Sequence, residues 1–310
     1  MSEAAPLVAP GVLEIDTLLG GWAQTTAGYL LSGPAPLLVE TGSQSSVPVV
    51  LAALERCGLG PLDLAGIAVT HIHLDHAGGV GDLAAAFPRA TIYVHELGAR
   101  HLADPERLIT SAGMVYGDLL DRLYGRMTPV PAQRLRVLHD GDTVEIAPGR
   151  SLVAVDSPGH AKHHLGFLDE ASGLLFAGDA VGVRLPGGGV LRPATPPPDF
   201  DLELALDSLE RFAAKRPARL ALAHYGVVDE PVEALLAEAA ETLRAWVAEA
   251  ERALRAGEDV AAALSARFAR PLEQLSADER ARLETLNGVH SNAAGISRYL
   301  ARRPEEPAER

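Results

Sequence analysis

Cysteine, lysine and aromatic residues are scarce in this 310-residue chain. Cys57 is the single cysteine, which excludes a disulfide framework and a cysteine-ligated structural zinc. Lysine occurs only at Lys162 and Lys215, leaving 25 of the 27 basic residues as arginine; the skew points to GC-rich coding rather than to a physical demand. Aromatic residues make up 5% of the chain, and its 47% hydrophobic share includes 52 alanines, so the core must lean on Leu, Val and Ala. No stretch approaches the roughly 18 apolar residues needed to span a bilayer. Residues 1–10 show neither a basic start nor an apolar run before a cleavage site. These absences predict a soluble cytoplasmic protein with no membrane partner. Positive charge is short as well: the net charge of −14 argues against general nucleic-acid binding, leaving only a local basic groove as a route to it.

What is present is length enough for one large or two modest domains, and 11 histidines. Short apolar runs separated by Gly, Pro and Asp predict strands at 12–15, 28–31, 37–39, 67–69, 91–94, 135–138, 143–146, 151–156, 164–168, 174–177 and 220–223. Helical spacing predicts helices over 46–57, 80–87 and 202–214. Residues 104–130 break the rhythm. Leu108, Ala112, Val115, Leu119 and Leu123 step at helical intervals between Pro105 and Pro129, reading as one inserted helix. The run 182–199, with four glycines and five prolines, excludes regular structure. From Asp229 onward the texture turns to Ala, Glu and Arg, predicting helices over 231–256, 260–269 and 276–303 before a frayed tail at 304–310. The expected division is a catalytic domain over 1–228 and a helical extension over 229–310. That extension reads as a cover for the site or as the surface of a homo-oligomer.

Chemistry concentrates in Thr70-His71-Ile72-His73-Leu74-Asp75-His76-Ala77-Gly78-Gly79, directly after a predicted strand. In an extended segment His71 and His73 point to the same side. The chain must then turn for Asp75 and His76 to face a second point, and the two glycines permit that turn. A lone His-X-His would be a weak signal; the full His-X-His-X-Asp-His string is a strong one for zinc, iron or manganese. Three more metal-competent residues sit at predicted strand ends: His160 in Ser-Pro-Gly-His, Asp179 in Phe-Ala-Gly-Asp, and His224 in Leu-Ala-His-Tyr-Gly. Together they supply enough ligands for two metals.

In this order, with Glu40-Thr41-Gly42 before the string and Asp140-Gly141-Asp142 after it, the chain resembles the metallo-β-lactamase superfamily over most of 12–228. The resemblance implies an α/β fold: a four-layer αββα sandwich, here with an all-helical C-terminal extension. It assigns His71, His73 and His160 to one divalent ion, Asp75, His76 and His224 to a second, and Asp179 as a bridge. Zinc leads as the metal, with iron or manganese as alternatives. Glu40 replaces the family's usual aspartate, a position that supports the metal loop without ligating. His73 stands where the oxygen-reducing flavodiiron branch carries glutamate, which argues against that chemistry.

His164, four residues after His160, matches glyoxalase II-like thioesterases, whose basic glutathione-binding signature has no counterpart here; the lactonase branch fits equally well. The resulting expectation is hydrolysis of an ester, lactone or thioester in a small substrate by a hydroxide held between two metals. Asp75 would orient that hydroxide and take its proton, and Tyr225 would donate to the oxyanion. Lys162, His164 and Tyr116 are the candidate substrate contacts. Arg184 and Arg192 read as anion binders or as solvated loop residues, and the Met- and Tyr-bearing inserted helix reads as a lid or as core packing. Competing activities are phosphodiester cleavage, persulfide oxidation at a single iron held by His71, His73 and His160, and non-catalytic metal-dependent ligand binding.

Overall fold

The computed structural model describes residues 5–186 and 190–303. Three glycines of the Gly/Pro-rich run and the tail read above as frayed lie outside the described residues. One sheet holds β1 (Leu7–Ala9), β2 (Val12–Asp16), β3 (Ala27–Leu31), β4 (Leu37–Val39), β5 (Gly66–Ala68), β6 (Thr91–His95) and β7 (Leu135–Leu138) in sequential order. It is antiparallel from β1 to β4 and parallel from β4 to β7. The second sheet holds β8 (Thr143–Ala147), β9 (Arg150–Asp156), β10 (Leu165–Asp169), β11 (Leu174–Gly178), β12 (Arg219–Leu222) and β13 (Gly226–Val228). Its order is β13-β12-β11-β10-β9-β8, with β11 and β12 parallel and the other pairs antiparallel.

Between the sheets lies a core of inward-facing side chains, among them Tyr29, Leu31, Val39, Leu165, Phe167 and Phe176, all buried. Tyr29 spans the gap. Its ring meets Phe176 at 5.0 Å, and its hydroxyl donates to the Leu222 carbonyl at 2.6 Å, so burial does not leave the phenol unpaired. Helices α1 (Val47–Arg56), α2 (Leu74–Ala77), α3 (Val80–Ala86), α4 (Glu96–Ala103) and α5 (Glu106–Tyr116) lie on the side of the first sheet. On the side of the second are α6 (Leu202–Ala214), α7 (Val232–Ala256), α8 (Val260–Arg267) and α10 (Val289–Leu300), while α9 (Ala277–Leu286) buries Leu283 in a separate small cluster with Val183, Ala194 and Leu275. The architecture is the four-layer αββα sandwich with a C-terminal helical segment.

The long α7 buries Leu235, Leu236, Ala239, Leu243, Trp246 and Ala250, one face at helical spacing, and stops at Gly257 in the left-handed region (φ 69°). That face packs into the same core as α6 and strands β11 and β12, so the C-terminal helices and the second sheet share their apolar interior.

Two expected helices are broken in the structure. The inserted segment ends its helix at Tyr116, because Gly117 turns the backbone left-handed (φ 51°), and resumes as a short π-helical turn at Leu120–Tyr124. The expected helix 276–303 divides into α9 and α10 at Asn287-Gly288. Strands β1 and β13 and helix α4 had no sequence expectation: the strands have only three residues each, and α4 follows β6 without a spacer.

Candidate metal centre

Strands β9, β11 and β12 run in one direction, and so do β4 and β5; the segments after their C-terminal ends meet at one edge of the sandwich. There the segment after β5 delivers His71, His73, Asp75 and His76, with the last two on the single-turn helix α2. The segment after β9 delivers His160, β11 ends one residue before Asp179, and β12 leads to His224.

All seven predicted ligands converge. Ligand atoms of His71, His73 and His160 lie within 4.8 Å of one another, as do those of Asp75, His76 and His224. His71 Nε2 stands 2.9 Å from His73 Nδ1, which is 3.0 Å from His160 Nε2. On the other side His76 Nε2 and His224 Nε2 are 3.2 Å apart. Asp179 lies between the groups: Oδ2 is 3.4 Å from His160 Nε2, and Oδ1 is 3.5 Å from His76 Nε2 and 3.4 Å from His224 Nε2. Asp75 approaches His224 Nε2 at 3.5 Å and His76 Nε2 at 3.7 Å.

The far sides of the imidazoles are held in place. His160 Nδ1 donates to the Ala194 carbonyl at 2.9 Å, and His224 Nδ1 to the Thr25 carbonyl at 2.8 Å. His71 Nδ1 meets Thr70 Oγ1 at 3.0 Å. These partners orient the Nε2 lone pairs toward the centre, the arrangement metal-binding histidines require. Burial, then the neighbouring imidazoles, push His71 and His73 well below the ordinary histidine range, and burial lowers His160 as well. Neutral imidazole is the form that ligates. Burial opposes charge on Asp179, yet His76, His224 and His160 hold it well below the ordinary carboxylate range. Burial likewise opposes protonation of His76, but Asp179, Asp75 and Glu40 raise it well above its ordinary value.

These residues fit divalent cations. Asp179 Oδ1 is a buried carboxylate oxygen without a hydrogen-bond partner, and it is ringed by imidazole nitrogens whose lone pairs face one another. Among protein groups such a set is costly unless a cation lies at its centre.

The other candidates separate. Tyr116 lines a cavity of about 800 Å³ that opens over His73, Asp75, His160, Asp179 and His224. Its ring lies 4.6 Å from that of Tyr124, and burial pushes its hydroxyl up to about 12. Tyr225, expected beside the oxyanion, faces the other way: it packs at the inter-sheet core, its hydroxyl drawn to the Glu14 carboxylate. His164, expected to contact substrate, is fully buried behind the centre, where Nε2 accepts the Asp179 backbone N–H at 3.1 Å and Nδ1 pairs with Ser157 Oγ at 2.8 Å. Lys162 is exposed and paired with Asp199 at 3.0 Å, off the cavity wall. Arg184 is engaged by Glu230 and Glu238. Arg192 is buried, bonded to Glu284 at 2.7 Å and to the Asn287 carbonyl at 2.9 Å, with its guanidinium over the Trp246 ring. Sequence reading missed the supporting carbonyls of Thr25 and Ala194, since a main-chain acceptor leaves no mark in residue identity. The extension that sequence offered as a cover for the site or as an oligomer surface contributes Glu284–Gly288, His290 and Ser291 to the cavity wall.

A buried His/Asp cluster at one edge of an αββα sandwich defines the class: a metallo-hydrolase that binds divalent metal. The chain belongs to the metallo-beta-lactamase superfamily, whose sequence profile matches residues 20–224. Uncharacterized protein YobT of Bacillus subtilis is 28% identical over 209 residues, covering 63% of this chain and 81% of that protein. A hydroxyacylglutathione hydrolase of Aeromonas hydrophila is 32% identical over 146 residues, 47% of this chain and 42% of the relative. The metallo-beta-lactamase fold-containing protein ST1585 of Sulfurisphaera tokodaii is 30% identical over 169 residues, 54% of this chain and 62% of its own length. The match therefore spans under two thirds of the last two relatives. In three dimensions the solved structure of ST1585 superposes with a TM-score of 0.70 at 21% identity, covering 94% of this chain and 99% of that one. The Thermus thermophilus family protein TTHA1429 gives 0.68 at 24% identity, covering 95% and 94%. Among the described residues no helix is long and apolar enough to cross a membrane.

Proposed function

We propose that the protein is a dinuclear metal-dependent hydrolase that cleaves an ester-like bond (ester, lactone or thioester) in a small substrate. One observation carries this reading: two three-residue ligand groups flank a single buried carboxylate, Asp179, at the inner end of a cavity large enough for a drug-sized molecule. The hydroxyacylglutathione hydrolases among the relatives lend support, since their name describes acyl-bond hydrolysis.

In this scheme His71, His73 and His160 would hold one cation and Asp75, His76 and His224 the other, with Asp179 lying between the two groups. The imidazole-rich set suits zinc, and the same donors accommodate iron and manganese. When bound, such a pair supplies a water deprotonated near neutral pH and polarises the substrate carbonyl. The carboxylate of Asp75, partly exposed and lining the cavity, would orient the attacking water and take up its proton. Tyr116 takes the role that the sequence suggested for Tyr225. Its phenol lines the cavity, and with the hydroxyl raised to about 12 it remains a proton donor at neutral pH, able to hydrogen-bond the developing oxyanion.

The test is His71→Ala, analysed for metal content and assayed on ester, lactone and thioester substrates. Loss of bound metal together with turnover is expected; full turnover by a verified metal-free variant overturns the scheme.

A further inference from the structure

The geometry points to an uncharged substrate with a long or bulky apolar acyl group, bound in the cavity between α5 and the α9–α10 turn. This rests on the hydrolase reading above and narrows it to a substrate class.

The cavity walls come from three places far apart in sequence. Helix α5 supplies Leu108, Ala112 and Tyr116; the proline run supplies Pro196–Pro198; the α9–α10 region supplies Leu286 and Ala294. The lining is predominantly carbon, and a cavity of about 800 Å³ lies toward the upper end of the usual range for small-molecule sites. An acetyl group would leave most of it unfilled.

Charge narrows the choice further. Among the described residues neither lysine nor arginine lines the cavity, and His290, exposed at the rim, is the only basic side chain there outside the metal cluster. The cations that sequence offered for an anionic substrate are committed elsewhere. Arg184 lies between Glu230 and Glu238, Arg192 is buried against Glu284 and Trp246, and Lys162 pairs with Asp199. At the start of α10 the first free N–H is already taken, with Val289 N–H donating to Glu284 Oε2 at 3.0 Å, and that carboxylate stands where an anion would approach. A glutathione thioester or a phosphodiester would therefore bury carboxylates or a phosphate against carbon and a carboxylate already in use, which is unfavourable. An alkyl or aryl acyl chain meets a surface of its own kind. Each methylene buried there contributes up to about fourfold in kcat/KM.

The experiment measures kcat/KM of the metal-loaded enzyme on the p-nitrophenyl esters of acetate, butyrate and octanoate, beside an acylglutathione thioester and bis-p-nitrophenyl phosphate. A parallel arm records the rise in melting temperature produced by non-cleavable methyl ketones of matching chain length. The octanoate-to-acetate ratio should be about tenfold or more, the two anionic substrates should be poorer than octanoate, and the longest ketone should stabilise most. Filling the cavity from either wall, by Ala112→Trp or by the exposed Ala294→Trp, should reduce both the ratio and the stabilisation by the long ketone. A flat or inverted chain-length profile, or preference for the glutathione thioester or phosphodiester, overturns this inference and leaves the hydrolase reading standing. Long ketones that stabilise a metal-loaded protein inert to every substrate would do the reverse, upholding the apolar site and sinking the hydrolase reading.

Discussion

The carboxylate of Glu40 divides its two oxygens between the main chain and the metal centre. Oε1 accepts the Thr70 N–H at 3.1 Å, while Oε2, buried and otherwise unpartnered, faces His76 Nδ1 at 3.5 Å. Glu40 thus pins the start of the His-rich segment and faces one candidate ligand, His76, from a left-handed backbone (φ 65°) that itself costs about 1 kcal/mol or more. Removing both contacts with Glu40→Ala should weaken metal affinity about 10–100-fold. Glu40→Gln, which can still accept from Thr70, should fall between the two; chelator competition measures both, and equal affinities for all three proteins would refute the role. The tyrosines separate by placement in the same way. Tyr116→Phe should lower kcat about 10–100-fold by removing an oxyanion donor. Tyr225→Phe should leave kcat within about twofold, since its hydroxyl lies toward Glu14 and not toward the cavity. Steady-state kinetics on one ester decides between them, and the opposite ranking would restore the role that sequence suggested for Tyr225. At this scale the convergence of the candidate ligands was legible because residue type, local spacing and position at a strand end all agree. The roles of His164 and Tyr225 were not, because both lie in connections just before a strand, β10 and β13, where the path of the backbone and not the residue type sets which way a side chain points.

Helix α10 owes its place to a glycine. A Cβ on Gly295 would lie 1.8 Å from the Thr195 carbonyl oxygen, so the helix backbone packs directly on the loop that carries Ala194, the acceptor for His160. Asn292 completes the joint, its Oδ1 accepting from the Thr195 N–H at 2.7 Å and from Thr195 Oγ1 at 2.9 Å. Gly295→Ala should push α10 away from this loop and cost about 1–3 kcal/mol. A lowered unfolding midpoint in denaturant, accompanied by loss of activity on the preferred ester, is the expected result; an unchanged midpoint would show that the close approach is dispensable. Helix existence was readable here from periodicity, but the break at Asn287-Gly288 was not. Asn287 is held there by partners nearly a hundred residues back in the chain, its Nδ2 donating to the Pro193 carbonyl at 3.1 Å and the Arg192 guanidinium donating to its own carbonyl. Local helical spacing carries no trace of either.

In the whole molecule the apolar interior beneath the second sheet is continuous from β11 and β12 through α6 to α7, α8 and α10. A chain ending at residue 228 would expose Leu222, Leu209 and Phe212 where Leu235, Trp246 and Ile296 now share their cluster. Such a fragment should be insoluble or bind hydrophobic dyes strongly; a monomeric fragment with full metal content would show that the catalytic part folds alone. Sequence by itself determined eleven of the thirteen strands among the described residues, all but the three-residue β1 and β13, and the seven candidate ligands and their order, because those depend on short-range pattern and on the coordination chemistry of His and Asp. Only the tertiary structure decided what surrounds them. Whether an arginine can meet a substrate depends on which carboxylates fold against it, and Arg192 finds Glu284 some ninety residues away. The cavity likewise exists only where α5, the proline run and the α9–α10 turn come together. Ligand chemistry is a local property; the shape and charge of the space above it belong to contacts between distant parts of the chain.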